Sequence, residues 1–197
     1  MPVVLASASP RRRELLGLLG ITPHVVAPDI DESWTPGEAP ADHAQRLARE
    51  KAAAIAPRHP GAVIIGADTI VVIDGEILGK PRDQAEAAIM LRKLQGREHV
   101  VHTAMAAVHA GRGVAGIEST RVWIRPLNDE AILAYIATGE PMDKAGAYGI
   151  QGYGAVIVER INGDYFTVMG LGLGRLVTML QELGLTYRFD GLQATPR

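Results

Sequence analysis

Asp68 stands within Gly66-Ala67-Asp68-Thr69, inside an apolar stretch that runs from Ala62 to Ile73. An unpaired ionised carboxylate in an apolar interior is strongly unfavourable, so Asp68 requires a cation, a metal ion or a catalytic task. The plain alternative is an aspartate at a strand end, held by a neighbouring arginine or cap. Lys51 is the second such residue. Ala44, Leu47, Ala48, Ala52 and Ile55 recur at helical spacing, and position 51, seven after 44, falls on the same stripe. An inward ammonium needs a partner unless its stem snorkels along the edge of the core. Arg46, Arg49 and Glu50 fall largely elsewhere on that helix, so replacing Arg46 is expected to be nearly silent.

Phosphate chemistry is the common denominator of the other charged groups. Ser7-Ala8-Ser9-Pro10-Arg11-Arg12-Arg13 combines two hydroxyls, guanidinium groups and the free amides of a helix start, the ingredients of an anion site. The same residues also read as an ordinary N-cap followed by solvated arginines. Asp29, Asp31 and Glu32 offer oxygen ligands for a hard divalent ion, with Asp68 as a further ligand, although acidic loops are commonly just solvated. Lys80-Pro81 brings another cation close in sequence to Asp68.

Several familiar sites are excluded. Gly111, Gly113 and Gly116 match G-x-G-x-x-G, but Val114 onward continues as a strand, and the dinucleotide fingerprint needs a helix there. There is no G-x-x-x-x-G-K-[ST]. His99 and His102 lie three apart on a strand, hence on opposite faces, and read as surface or half-buried histidines.

The elements that must position these groups follow from periodicity and turn chemistry. Pro2 to Ala6 reads as a buried strand, Ser9 and Pro10 open a helix that Gly20 closes, and a short strand covers His24 to Ala27. The Lys51 helix is expected from about Asp42 to Ala56. Ala62 to Ile73 is a long strand returning through Asp74-Gly75 to Glu76–Leu78. Asp83 with Glu86 marks a helix to about Gln95. Strands follow at His99–His109 and Val114–Arg125, then a helix over Asn128–Thr138 and a glycine-rich segment from Gly139 to Gly154. Ala155–Ile161, the turn Asn162-Gly163 and a strand to Met169 precede a last helix at Leu173–Leu183. Hairpins mixed with helical crossovers indicate an α/β or α+β fold with a mixed sheet.

Composition narrows the class further. The 197 residues carry 20 Lys+Arg, 22 Asp+Glu, six His and no Cys, with 47% hydrophobic and 21% charged residues. This is an ordinary packed globule of near-neutral charge. Absence of cysteine excludes disulfides and thiolate chemistry and fits a reducing compartment. Sparse aromatics without a basic excess argue against a nucleic-acid partner. No apolar run approaches a membrane span, and the apolar Pro2–Ala6 precedes the arginines, the reverse of a secretory signal. A cytoplasmic location is expected.

Taken in order, these motifs resemble the Maf family of nucleoside triphosphate pyrophosphatases. The matching pieces are Ala6-Ser7-Ala8-Ser9-Pro10-Arg11-Arg12, Asp31-Glu32, Leu47-Ala48-Arg49-Glu50-Lys51-Ala52, Gly66-Ala67-Asp68-Thr69, Lys80-Pro81, Gly139-Glu140-Pro141 with Asp143 to Gly152, and Ile161 to Tyr165. The Gly149-Ile150-Gln151-Gly152 ending resembles the subgroup acting on dTTP and UTP. The resemblance implies one α/β domain over 1–197, with an elongated mixed sheet flanked by helices and two lobes about a central cleft, often as a homodimer. It implies Asp68 as proton acceptor, with Glu32, Lys51 and Lys80 as further catalytic residues. Glu32 and Asp68 would hold a divalent cation, Mg²⁺ or Mn²⁺. Ser7, Ser9, Arg11, Arg12, Thr69 and Gln151 would bind the nucleoside triphosphate, with Arg11, Thr69 and Gln151 influencing its choice. A Gln151 amide can donate to a uracil or thymine carbonyl and accept from N3–H, the opposite of the pattern cytosine presents. A competing reading is a nucleotide-binding regulator of septum formation without turnover. One departure is Gly170-Leu171-Gly172-Leu173, where the family pattern has proline at the third position.

Overall fold

The computed structural model describes residues 1–189 and 191–195; residues 190, 196 and 197 of the expected 1–197 domain lie outside it. The elements follow in the order β1 (Val3–Ala6), α1 (Pro10–Leu18), β2 (His24–Val25), α2 (Pro40–Ile55), β3 (Val63–Ile73), β4 (Glu76–Leu78), α3 (Gln84–Leu94), β5 (Glu98–His109), β6 (Arg112–Ile124), α4 (Asp129–Ala137), β7 (Val158–Asn162), α5 (Tyr165–Met169), α6 (Leu173–Glu182), β8 (Leu185–Arg188) and β9 (Gly191–Ala194). Seven strands form one mixed sheet in the order β2-β1-β3-β5-β6-β7, with β4 beside β3. β1 is parallel to both β2 and β3, whereas β3–β4 and β6–β7 are antiparallel. Among the described residues no helix is long and apolar enough to cross a membrane.

Contacts divide the chain into two compact units. The first holds Met1–Asp68, Thr103–Glu118 and the stretch from Gly170 onward; the second holds Thr69–His102 and Ser119–Met169. In the first unit β1 is buried along its whole length, as a strand with parallel neighbours on both sides must be. Pro10 occupies the first turn of α1, and Leu15 and Leu16 turn inward from it. α2 lies directly on β3. A β-carbon at Gly66 would sit 2.4 Å from the Ala48 carbonyl oxygen and 2.8 Å from the Ala52 nitrogen, so only glycine admits this approach. α6 starts after Gly172, whose φ of −69° is the value a proline ring would impose. The departure from the family pattern therefore removes rigidity at that point and leaves the geometry unchanged.

The second unit has its own core, built from Val71, Leu78, Leu91, Leu94, Val122, Ile132, Ile136 and Tyr148. Asp83 and Asn128 cap α3 and α4 by accepting from the Glu86 and Ala131 amides. Asp74 and Gly75 take positive φ of 54° and 79°, the hairpin turn expected between β3 and β4.

Two expectations are corrected here, and one unexpected hairpin is added. The chain after Gly163 is the helix α5 and not a strand, because the Asp164 carboxylate accepts from both the Thr167 amide (2.6 Å) and its hydroxyl (2.9 Å), a helix-start pattern. Residues Gly152–Val156 form a 3₁₀ turn, so β7 begins only at Val158. The hairpin β8–β9, beyond the last expected helix, carries too short an apolar pattern to have been read.

His99 is also deeper than expected, only 2% exposed, with Nε2 2.6 Å from the Tyr148 hydroxyl. Its Nδ1 has no hydrogen-bond partner among the described residues. Burial pulls its pKa from 6.5 down to about 4. The unfolded chain therefore takes up the proton first as pH falls, and the stabilisation held by neutral His99 is complete above 6.5 and lost towards 4. Between pH 7.5 and 4.5 this removes about 2 to 3 kcal/mol. Denaturant unfolding of the wild type and His99→Gln across that window should show the steeper decline in the wild type; parallel curves contradict the assignment.

Candidate functional site

The first unit gathers the site around Lys51. Gly66 faces α2, so Asp68, two residues further along the same strand, faces it too. Lys51, on the apolar stripe of α2, meets it there: its Nζ lies 2.7 Å from Asp68 Oδ1. Both are nearly excluded from water, Lys51 at 6% and Asp68 at 8% exposure. The same ammonium lies 3.0 Å from Glu32 Oε1, whose side chain remains largely exposed. One buried cation thus joins two carboxylates from separate loops and strands.

Arg12 lies beside this group. It is buried, its Nη1 donates to the Ser7 hydroxyl (2.9 Å) and its Nε to the Gly170 carbonyl (2.8 Å). Burial pulls the guanidinium below its ordinary value, while the charges of Asp68 and Glu32 pull it back. Ser7 is buried and also accepts the Ser9 amide at 3.2 Å. Ser9 occupies the N-cap position of α1 with extended backbone but makes no side-chain cap. Arg11 is half-buried. The Ser7 hydroxyl and the Arg12 guanidinium thus lie together at the start of α1.

The remaining expected residues belong to the second unit. Thr69 follows Asp68 in β3, half-buried and projecting from the opposite face. Lys80 is exposed after β4, and Gln151 is exposed at the head of the Gly152–Val156 turn. The wider acidic cluster does not assemble: among the described residues no three His, Asp or Glu side chains converge on a metal position. Asp31 instead accepts the Ser33 amide at 2.8 Å, which holds its carboxyl below the usual range. The two carboxylates that do meet, Glu32 and Asp68, fit a hard divalent cation of the kind that takes one or two carboxylates together with substrate phosphates.

Sequence reasoning missed what holds the loop that follows Glu32. Arg46 points away from the core, as its helical phase required, but it is engaged: Nε and Nη2 donate to the Glu38 carboxylate at 2.8 and 3.0 Å, and Nη2 to the Ser33 carbonyl at 3.0 Å. Its Nη1 reaches Glu50 at 3.2 Å. The Trp34 ring packs on His43, which in turn contacts Glu38. Arg46 holds the Glu38 carboxyl at about 2, so the clamp stays charged until strongly acid pH. The outward phase expected of Arg46 is observed, but phase alone did not reveal that its planar guanidinium, with five N–H donors, reaches a neighbouring loop. Its signal was the glutamate at position 38, just before α2.

The Maf-like protein family profile matches residues 2–183. A protein of Symbiobacterium thermophilum named dTTP/UTP pyrophosphatase is 51% identical over 182 residues, 92% of this chain and 94% of its own length. A protein of the same name from Geobacter metallireducens is 54% identical over 184 residues, 92% and 96% of the two chains. Another from Aquifex aeolicus is 46% identical over 185 residues, 94% and 97%.

Replacing Arg46 by Met should free the loop from Glu32 to Glu38. Hydrogen exchange at the Ser33 and Glu38 amides is expected to accelerate on the order of tenfold, with global stability little changed. Unchanged exchange would remove Arg46 from the account of Glu32.

Proposed function

The chain belongs to the Maf family, and on that premise we propose that it hydrolyses dTTP and UTP to the nucleoside monophosphate and pyrophosphate. The observation that carries the reading is the buried Lys51–Asp68 contact with Glu32 on the same ammonium. A carboxylate and a lysine drawn out of water have no use in packing, since apolar residues of similar size fill such space as well or better. They do suit a reaction in which a proton leaves water while negative charge builds on phosphoryl oxygens.

Asp68 accepts the proton of the water that attacks the α–β phosphoanhydride. The new bond is from that water's oxygen to phosphorus, and the bond broken is to the bridging oxygen, which leaves with pyrophosphate. Lys51 orients the Asp68 carboxylate and offsets its charge, so that an anionic substrate can approach. Arg12 and the Ser7 hydroxyl, already ordered against each other, bind phosphoryl oxygens with no further loss of side-chain freedom, and Ser9, Arg11 and Lys80 add donors and charge. A divalent cation, Mg²⁺ or Mn²⁺, is part of the proposal: held by Glu32 and Asp68, it would neutralise charge on the phosphates and the leaving pyrophosphate. Thr69 and Gln151 take part in substrate choice, Gln151 by pairing with the carbonyl and N3–H of uracil or thymine. A cytoplasmic location suits a free nucleotide substrate, and the homodimer implied by the family belongs to the same proposal. A regulator that binds nucleotide without turnover would leave the buried Asp68 with no task.

The test is pyrophosphate release from dTTP and UTP. Asp68→Asn keeps the shape and removes the basic oxygen, and turnover should fall at least about 100-fold with the fold retained. Release of orthophosphate in place of pyrophosphate, full activity in excess chelator, or unchanged turnover in a folded Asp68→Asn protein would each overturn the reading.

A further inference from the structure

The glycine-rich segment in the second unit is organised by one carboxylate. Glu140 Oε1 accepts from the Tyr135 hydroxyl at 2.8 Å and from the Gly154 amide at 2.9 Å, and Oε2 accepts from the Tyr153 amide at 2.7 Å. The Tyr135 oxygen in turn accepts the Gly149 amide at 3.1 Å. The backbone is therefore tied at 149, 153 and 154, and only Ile150, Gln151 and Gly152 lie between the ties. Gln151 stands exposed in that span with extended backbone, φ −107° and ψ 176°.

The glycines follow from the same centre. A β-carbon at Gly152, where φ is +61°, would lie 2.2 Å from Glu140 Oε2. At Gly154 it would lie 2.1 Å from the Gly149 carbonyl oxygen and 2.7 Å from the Tyr135 hydroxyl. The chain is thus wrapped against Glu140 and Tyr135 as closely as backbone can approach. Burial works to raise the Glu140 carboxyl, but the Gly154 amide, the Tyr135 hydroxyl and the Tyr153 amide outweigh it and hold it below its ordinary value. Glu140 itself is fixed from behind by Lys144, whose Nζ donates to the Glu140 carbonyl at 2.5 Å, and by the Thr138 hydroxyl, which accepts the Glu140 amide at 3.2 Å.

We propose that Glu140, with Tyr135, is a positioning residue for base choice: its carboxylate sets where the loop presents Gln151. This rests on the reading that Gln151 pairs with the base. An ionised carboxylate suits the position because every group facing it is a donor, two amides and a hydroxyl, and a carboxylate is acceptor-only. Glutamine has the same shape but replaces one acceptor oxygen by a donor, so at least one N–H or O–H then faces an N–H. A glutamine amide at 151 that misses its partner edge loses the advantage of uracil over cytosine while phosphate binding is left alone.

The experiment measures the ratio of kcat/KM for UTP over CTP in the wild type, Glu140→Gln, Gln151→Ala and the double variant, with Tyr135→Phe as a second probe of the same anchor should Glu140→Gln fail to fold. Glu140→Gln should lower the ratio about tenfold, towards that of Gln151→Ala. In the Gln151→Ala background it should then have no further effect, which a merely structural role would not produce. Equal, additive effects in both backgrounds overturn the proposal. A ratio unchanged by Glu140→Gln but lowered by Gln151→Ala overturns it and leaves base reading by Gln151 standing. A ratio unchanged by Gln151→Ala overturns base reading, and the positioning role falls with it.

Discussion

The first unit is arranged to keep one ammonium and one carboxylate together out of water. Dehydrating two ions costs several kcal/mol each, and their attraction offsets this only when geometry is close and the remaining polar atoms are satisfied. Each local feature serves that geometry. Gly66 lets α2 settle on β3 at backbone distance, which places residue 51 above residue 68. The apolar stripe of α2 fixes the rotation of the helix and so the direction of Lys51. Glu32 supplies a second carboxylate from the solvent side, and Arg12, held by Ser7 and Gly170, supplies a second buried cation close by. The group is close to electrically balanced without substrate, so a polyphosphate must bring or find further positive charge. That is the physical reason for reading the outer arginine and lysine, and a divalent ion, as part of the reaction.

Two clamps extend this logic from the buried pair to the loops that serve it. Arg46 holds the loop at Ser33, next to Glu32, from the same helix that carries Lys51, so Lys51 and its exposed partner Glu32 are referred to a single rigid element. In the second unit Glu140 does the equivalent for the glycine-rich loop, with a carboxylate at the centre of backbone donors instead of a guanidinium among acceptors. In both places a half-exposed charged residue governs a mobile type of structure, a loop, where packing alone would leave many conformations open.

The buried parts were the legible parts. Lys51 and Asp68 stood out because a charge on an apolar stripe or within an apolar strand violates the pattern around it. The strands and helices whose periodicity was long, β1, α2, β3 and α3, came out within a few residues of their observed bounds. Arg46 and Glu140 violated nothing. A surface arginine and a glutamate before a proline are ordinary, and their roles arise from partners 8 and 14 residues distant, which no local period encodes. The strand expected after Gly163 failed for a related reason: Tyr165 to Met169 has β-type residues, but one aspartate accepting two donors from Thr167 turned the chain into a helix. His99 was read too near the surface because its strand alternation does not show that a tyrosine 49 residues later covers it.

If the Lys51–Asp68 pair exists for chemistry, replacing it with apolar side chains should separate stability from activity. The direct measurement is the unfolding free energy of the Lys51→Met/Asp68→Leu double variant, taken beside its pyrophosphate release from UTP. A protein as stable as the wild type or more so, with release reduced at least about 100-fold, is the predicted result. A variant that loses several kcal/mol of stability, or one that keeps its turnover, would contradict the account.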